Sequence, residues 1–321
     1  MDQLPAFGYH LEEVIQPTFG VYEKLLTAKE TEIRSTRRET YSYGSHPRQE
    51  LDVYYPTAAP TAPFVAKPVL IFVYGGGFVG GDRTYKTYAN GLFYANLGHF
   101  FASRFGFTVV VPDYRLLSHG AKYPSGGEDI KLTIDWVKGT LAQQEGYGSI
   151  DLFLMGNSAG GVHTATYLFD ATFAEHRATV LAAARSGSGS GSGVLLRGAV
   201  LLGVPPHWGK IDNEGLRAYL GEGKVYDHAP MGVLEGLRKR NALPDLPGVG
   251  IALFVSELDP EFITATVDDF KRALPQPDRA EIVLIKGHNH ISPPLGLGTG
   301  IEREEAWGVQ VADFFKANAT R

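Results

Sequence analysis

Short apolar runs, each ending in glycine or polar residues, alternate with longer stretches of helical spacing along most of this 321-residue chain. The runs at 69–73, 108–111, 152–155, 195–203, 251–255 and 281–285 predict strands. Several are apolar at every position, which is how a strand buried on both faces reads. Between them, helical spacing covers 87–105, 126–143, 159–184, 263–274 and 302–318. Residues 1–30 also read as helical, through Leu11, Val14, Ile15, Tyr22, Leu25 and Leu26, with Pro17 interrupting; strands are expected near 32–42 and 50–55. Strands alternating with helices predict an α/β fold, with a mostly parallel central sheet covered on both faces. Two segments break the rhythm. Residues 186–193 read SGSGSGSG, a coil with nothing to bury, where a natural connection would be short. Its strict alternation points to an engineered replacement of a longer loop, with a natural low-complexity insert as the alternative. Residues 205–247 form an insertion that opens Pro205-Pro206-His207-Trp208.

The chemistry gathers where strands end. Residues 152–165 read LFLMGNSAGGVHTA: strand, sharp turn, helix, with Ser158 at the apex and glycine two residues to either side. Such a turn holds the serine in a strained conformation and aims Oγ away from the sheet, while bulkier flanking residues would collide. The motif alone is common, and a loop serine among glycines explains it equally well. Residues 69–78, VLIFVYGGGF, add a second signal. Three glycines directly after an apolar strand let backbone N–H groups approach a developing oxyanion. Gly76, Gly77 and Ala159 are the expected donors. No phosphate-binding glycine pattern is present.

A base and an orienting acid are expected later in the chain. The strand at 251–255 leads to Glu257 and Asp259; the strand at 281–285 leads to His288 and His290. Asp259 is preferred as the acid because it stands at the strand exit before Pro260, and Glu257 is expected to face solvent or prop the loop. His290 is preferred as the base because it lies past the flexible Gly287, with His288 as a packing residue. The chain order Ser158, Asp259, His290 differs from the two protease arrangements of the same chemistry.

With these motifs the chain resembles the α/β-hydrolase superfamily, and within it the hormone-sensitive-lipase-like carboxylesterases and a kynurenine-formamidase-like branch. The resemblance runs from about Tyr41 to the C-terminus and includes Pro112-Asp113-Tyr114-Arg115-Leu116, Tyr123-Pro124, Glu128-Asp129, Trp136 and residues 43–56. It implies an α/β-hydrolase fold in one domain, 1–321, with a small cap built from about 1–30 and 205–247. It implies ester hydrolysis through an acyl-enzyme on a Ser-His-Asp triad. Three features depart from the family pattern: Tyr74 replaces the usual histidine before the glycines, Asn157 the usual aspartate before the nucleophile, and the acid's context is Asp259-Pro260-Glu261-Phe262. Tyr74 and Trp208 are expected at the substrate, and Phe262 and Ile291 are further pocket candidates.

Composition narrows the choice. The chain is 44% hydrophobic and 20% charged, with a net charge of −5 and no basic cluster that would mark a nucleic-acid partner. No apolar stretch reaches the ~20 residues of a membrane span, and the N-terminus does not read as a secretory signal. The absence of cysteine removes thiol catalysis and cysteine-ligated metals. No metal or cofactor is expected, and a cytoplasmic location fits. The expected partner is a small or medium ester; self-association is left open. Alternative readings are an acyltransferase or lactone-forming cyclase on the same triad, an amidase or formamidase, and a non-catalytic hydrolase-like binding protein.

Overall fold

A computed structural model describes residues 1–57, 66–181, 193–211 and 213–319. Apart from Gly193, the Ser/Gly run lies outside them. The described residues form one eight-stranded sheet in the order β1-β2-β4-β3-β5-β6-β7-β8. The strands are β1 (Arg38–Ser42), β2 (Glu50–Tyr54), β3 (Lys67–Val73), β4 (Thr108–Pro112), β5 (Ile150–Asn157), β6 (Val194–Leu202), β7 (Gly250–Leu258) and β8 (Glu281–Asn289). Only the β1–β2 and β2–β4 pairs are antiparallel; β4, β3 and β5 through β8 run parallel. The fold is therefore α/β with a mostly parallel sheet.

Side-chain parity along β5 shows both faces being covered. Phe153 meets Phe107 and Phe315, at ring-centroid distances of 5.8 and 4.5 Å, on the face that carries the C-terminal helix Glu302–Ala319. Gly156, of opposite parity, abuts the helix Ala159–Phe169, which in turn packs on Ser125–Trp136. All eight β5 residues are buried, which accounts for the unbroken apolar reading.

Several predicted boundaries shift for local reasons. The strand expected over 32–42 begins only at Arg38; before it, Glu30–Arg34 is a helical turn closed by the Glu30–Arg34 ion pair. The helix expected from 87 begins at Ala95, because Asn90, Gly91 and Tyr94 all have positive φ. The helix expected over 159–184 breaks at Asp170, whose carboxylate caps Thr172 N–H before a new helix, Ala174–Leu181. The helix expected over 263–274 is two pieces, Glu261–Thr264 and Val267–Ala273. Pro17 does not interrupt the first helix, which runs Leu11–Thr27. Its buried face of Val14, Thr18, Phe19, Tyr22 and Leu26 outweighs the missing backbone bond.

Candidate active site

Ser158 stands between β5 and the helix Ala159–Phe169 with φ 52° and ψ −122°, a conformation costly for a residue with a Cβ. Its neighbours explain why the turn needs glycine. A Cβ on Gly156 would lie 2.5 Å from Gly160 O, and one on Gly160 would lie 2.1 Å from Val73 O. The turn is pinned by Ser158 N–H donating to Leu202 O at 2.9 Å and by Val162 N–H donating to Ser158 O at 3.0 Å.

The other two candidate side chains arrive from β7 and β8. Asp259 directly follows β7; its Oδ2 accepts Ser256 N–H at 2.6 Å and its Oδ1 is 2.6 Å from His290 Nδ1. His290 directly follows β8, and its Nε2 is 2.8 Å from Ser158 Oγ. All three side chains border one cavity of about 1120 Å³. Asp259 and His290 are almost fully buried, at 2% and 3% exposure, so their contact is largely shielded from water. Gly203 leaves room for the ring: a Cβ there would lie 3.2 Å from His290 Nδ1.

The two rival residues stand elsewhere. Glu257 is exposed and accepts Gly287 N–H at 2.7 Å, bracing the β8 chain. His288 is fully buried, 2.8 Å from Ser292 Oγ through Nδ1. Burial lowers its pKa to about 4.

The glycine run passes over the serine. A Cβ on Gly75 would touch Ser158 Cβ at 3.0 Å, and Gly77 and Phe78 line the cavity with Ser158 and Ala159. Among the described residues, the N–H groups of Gly76, Gly77 and Ala159 have no protein acceptor. Gly76, at φ 152°, turns its carbonyl to accept Val79 and Gly80 N–H.

Tyr74 is a correction. The sequence places it at the substrate, but it is fully buried and does not line the cavity. Its hydroxyl donates to Asp113 Oδ1 at 2.5 Å and accepts from Arg48 Nη2 at 2.6 Å, while its ring stacks between Tyr94 and Tyr114. A phenol here anchors the base of the glycine loop to a buried carboxylate. Trp208 and Phe262 do line the cavity; Ile291 does not.

The sequence pointed to the segments near 1–30 and 205–247 but not to which of their residues reach the cavity. Residues Tyr9 to Glu13 form one wall, and Ile211, Asn213 and Leu216 of the 205–247 insertion form another. Asn289 accepts the N–H groups of Ile291 and Ser292 through Oδ1 and so shapes the loop that carries His290. No periodicity marks such residues; only an Asx-turn preference beside His290 hinted at Asn289. Among the described residues, no group of three or more His, Cys, Asp or Glu could hold a metal ion. Nor is any described helix long and apolar enough to cross a membrane.

Comparison with known proteins agrees with this architecture. Residues 51–177 match the BD-FAE family model. The chain is 34% identical over 128 residues to Esterase LipC of Mycobacterium tuberculosis, a match covering 40% of this chain and 28% of that protein. It is 29% identical over 260 residues to the probable isoprenylcysteine alpha-carbonyl methylesterase ICMEL2 of Arabidopsis thaliana, covering 79% and 57%. The matches thus span from about a quarter to little more than half of those curated relatives. Among solved structures, esterase B of Lactobacillus rhamnosis superposes with a TM-score of 0.64 at 17% identity, over 100% of this chain and 97% of that one. The esterase Est2 of Thermogutta terrifontis gives 0.56 at 21% identity, over 86% and 90%. The strand order, the serine turn between β5 and its helix, and these structural likenesses together show an α/β-hydrolase fold.

Proposed function

We propose that this chain is a serine hydrolase that cleaves small or medium carboxylic esters. Ser158 is the nucleophile, His290 the base and Asp259 its orienting acid. The observation that carries the reading is the hydrogen-bonded line from Asp259 Oδ1 through His290 to Ser158 Oγ at the cavity wall.

The chemistry follows from that line. With Nδ1–H donated to Asp259, the His290 tautomer leaves Nε2 free to take the Ser158 proton as Oγ attacks the ester carbonyl. The carboxylate then stabilises the imidazolium. The N–H groups of Gly76, Gly77 and Ala159 receive the negative oxygen of the tetrahedral intermediate, each worth about 3–4 kcal/mol of transition-state stabilisation. His290 returns its proton to the leaving alcohol, and the acyl group remains on Ser158. Water, deprotonated by the same imidazole, releases the acid and restores the serine.

In this reading the segment near 1–30 and the 205–247 insertion act as a cap, because both supply walls of the cavity. The relatives' names favour esters: one is called an esterase and another a probable methylesterase. Lactobacillus rhamnosis esterase B was captured with a C4–C4 tributyrin phosphonate, which favours short acyl chains here too.

The test is hydrolysis of a graded acyl-ester series, with mass mapping of a fluorophosphonate adduct. Turnover of short esters with one adduct, on Ser158, supports the proposal. Turnover by Ser158→Ala comparable to the parent protein would sink it.

A further inference from the structure

Phe78 holds an unusual backbone conformation beside the proposed oxyanion donors. It follows Gly77, which has φ 61°, and is itself left-handed at φ 69°. An aromatic residue rarely adopts this conformation, which costs of order 1–3 kcal/mol and persists only where surroundings enforce it. The Phe78 ring meets His163 at 5.4 Å and, from the 205–247 insertion, Trp208 at 6.1 Å and Tyr219. The Phe78 ring lies flat on Tyr219, with centroids 4.3 Å apart and planes 2° from parallel. Phe78 O also accepts Leu117 N–H at 3.0 Å, and the residue is 2% exposed.

Tyr219 is itself fixed from several sides. It lies in the helix Glu214–Leu220, and its carbonyl accepts Tyr123 N–H at 2.8 Å. Its hydroxyl accepts Gly126 N–H at 3.1 Å and stands 3.3 Å from His163 Nδ1. Burial keeps His163 neutral, so that nitrogen can accept the phenolic proton. Tyr219 does not border the cavity, whereas Phe78 does. The tyrosine touches the cavity wall through the ring it stacks on.

We propose that Tyr219 is a positioning residue whose stack on Phe78 holds the Gly76–Gly77 N–H groups over Ser158, coupling the insertion to the oxyanion site. This rests on the reading of those glycines as oxyanion donors. Without the stack, Phe78 is free to relax to negative φ. That turns the peptide plane joining it to Gly77 and moves the adjacent donors off the place where charge develops. The ground-state ester, bound by the cavity walls, loses much less.

The test compares Tyr219→Leu, Tyr219→Phe and Phe78→Leu with the unaltered protein, each checked for fold by circular dichroism. The readouts are kcat and KM on a short acyl ester and the inhibition constant of a trifluoromethyl ketone, whose adduct carries the oxyanion. Tyr219→Leu is expected to lower kcat by about 10- to 100-fold with KM changed less than about threefold. The ketone should weaken in step. Tyr219→Phe, which keeps the ring, should retain most of kcat. The Tyr219→Leu/Phe78→Leu double variant should be no worse than the poorer single variant, because both remove one contact. A Tyr219→Leu protein with altered KM alone, or with unchanged ketone affinity, overturns the proposal. Should that variant fail to fold, Phe78→Leu is judged by the same two criteria. An unaltered protein that neither turns over esters nor labels at Ser158 removes the underlying reading first, before any variant is compared.

Discussion

Asn289 Nδ2 donates to Thr18 Oγ1 across 2.8 Å, and both side chains are fully buried. This bond joins the N-terminal helix Leu11–Thr27 to the residue preceding His290. The same Asn289 accepts two N–H groups of the following turn. The helix that walls the cavity is thereby tied to the loop carrying the proposed base. Thr18→Val keeps the shape and strands a buried amide donor, at a cost of about 1–3 kcal/mol. Asn289→Ala should cost at least as much and also lower kcat, since the turn behind His290 loses its side-chain acceptor. Denaturant midpoints and ester kinetics on both variants check this; an unperturbed kcat in a destabilised Asn289→Ala would separate the turn from the chemistry.

The two histidines near the end of β8 should behave differently. His290→Ala is expected to abolish fluorophosphonate labelling of Ser158, because Oγ loses the imidazole placed 2.8 Å away. His288→Ala should keep labelling while losing stability, since it opens a buried space and frees Ser292 Oγ from its 2.8 Å partner. Labelling lost with His288 and kept without His290 would reverse the assignment.

Glycines differ sharply in what they tolerate. Gly160→Ala forces a Cβ to 2.1 Å from Val73 O and 2.3 Å from Tyr74 O, and both obstacles are backbone. Since neither can swing aside, folding or activity should be lost, with more than about 3 kcal/mol of destabilisation. Gly139→Ala meets nothing within 4 Å, and should be neutral or stabilising by up to about 1 kcal/mol. A pair of thermal melts decides both.

How much could be read beforehand depended on the range of the interactions involved. The serine turn was legible because its glycines stand at a fixed short spacing about Ser158, although only Gly156 answers a local collision, with Gly160 O, while Gly160 answers the distant Val73 and Tyr74 carbonyls. The strands beneath it were legible because a strand buried on both faces must be apolar throughout. Tyr74 misled, since adjacency to the glycines says nothing about which way a side chain faces. Its direction is set by Asp113 and Arg48, 39 and 26 residues away. The helix break at Asp170 depended on a capping choice that helical periodicity does not register. Tyr219 and Thr18 were invisible because their importance lies in partners 141 and 271 residues distant, which no pattern along the chain encodes.

The cavity's charge should select among substrates. Glu12, Glu13, Glu257 and Glu261 border it, and among the described residues no Lys or Arg does. Carboxylates on cavity walls favour cations and repel anions at the mouth, and salt screens the effect. Matched esters carrying a quaternary ammonium or a carboxylate at equal length should differ in kcat/KM by about tenfold at low ionic strength, the cation ahead. The gap should narrow in 0.5 M salt, where the Debye length is only about 4–5 Å. Equal rates for the two esters would mean that the glutamates are fully solvated and play no part in selection.

Acid stability is the remaining consequence of burial. His163 is lowered to about 3 by burial and His288 to about 4, again chiefly by burial. In the unfolded chain both rings titrate near 6.5. Below that pH the unfolded state takes up protons that the folded state refuses, so stability falls as pH drops through the window from about 6.5 toward the folded values. Each ring contributes a slope of about 1.4 kcal/mol per pH unit there. Asp113 and Asp129 act in the opposite sense, because burial raises their pKa and protonation then favours the fold. Their effect runs upward from the ordinary carboxylate pKa and offsets part of the decline. The denaturant midpoint should decline between about pH 6 and pH 5 where the two histidines dominate. A His163→Gln or His288→Gln protein, if folded, should show a shallower decline over that interval. A slope untouched by either replacement would take both histidines out of the acid response and place it on the surface charges instead.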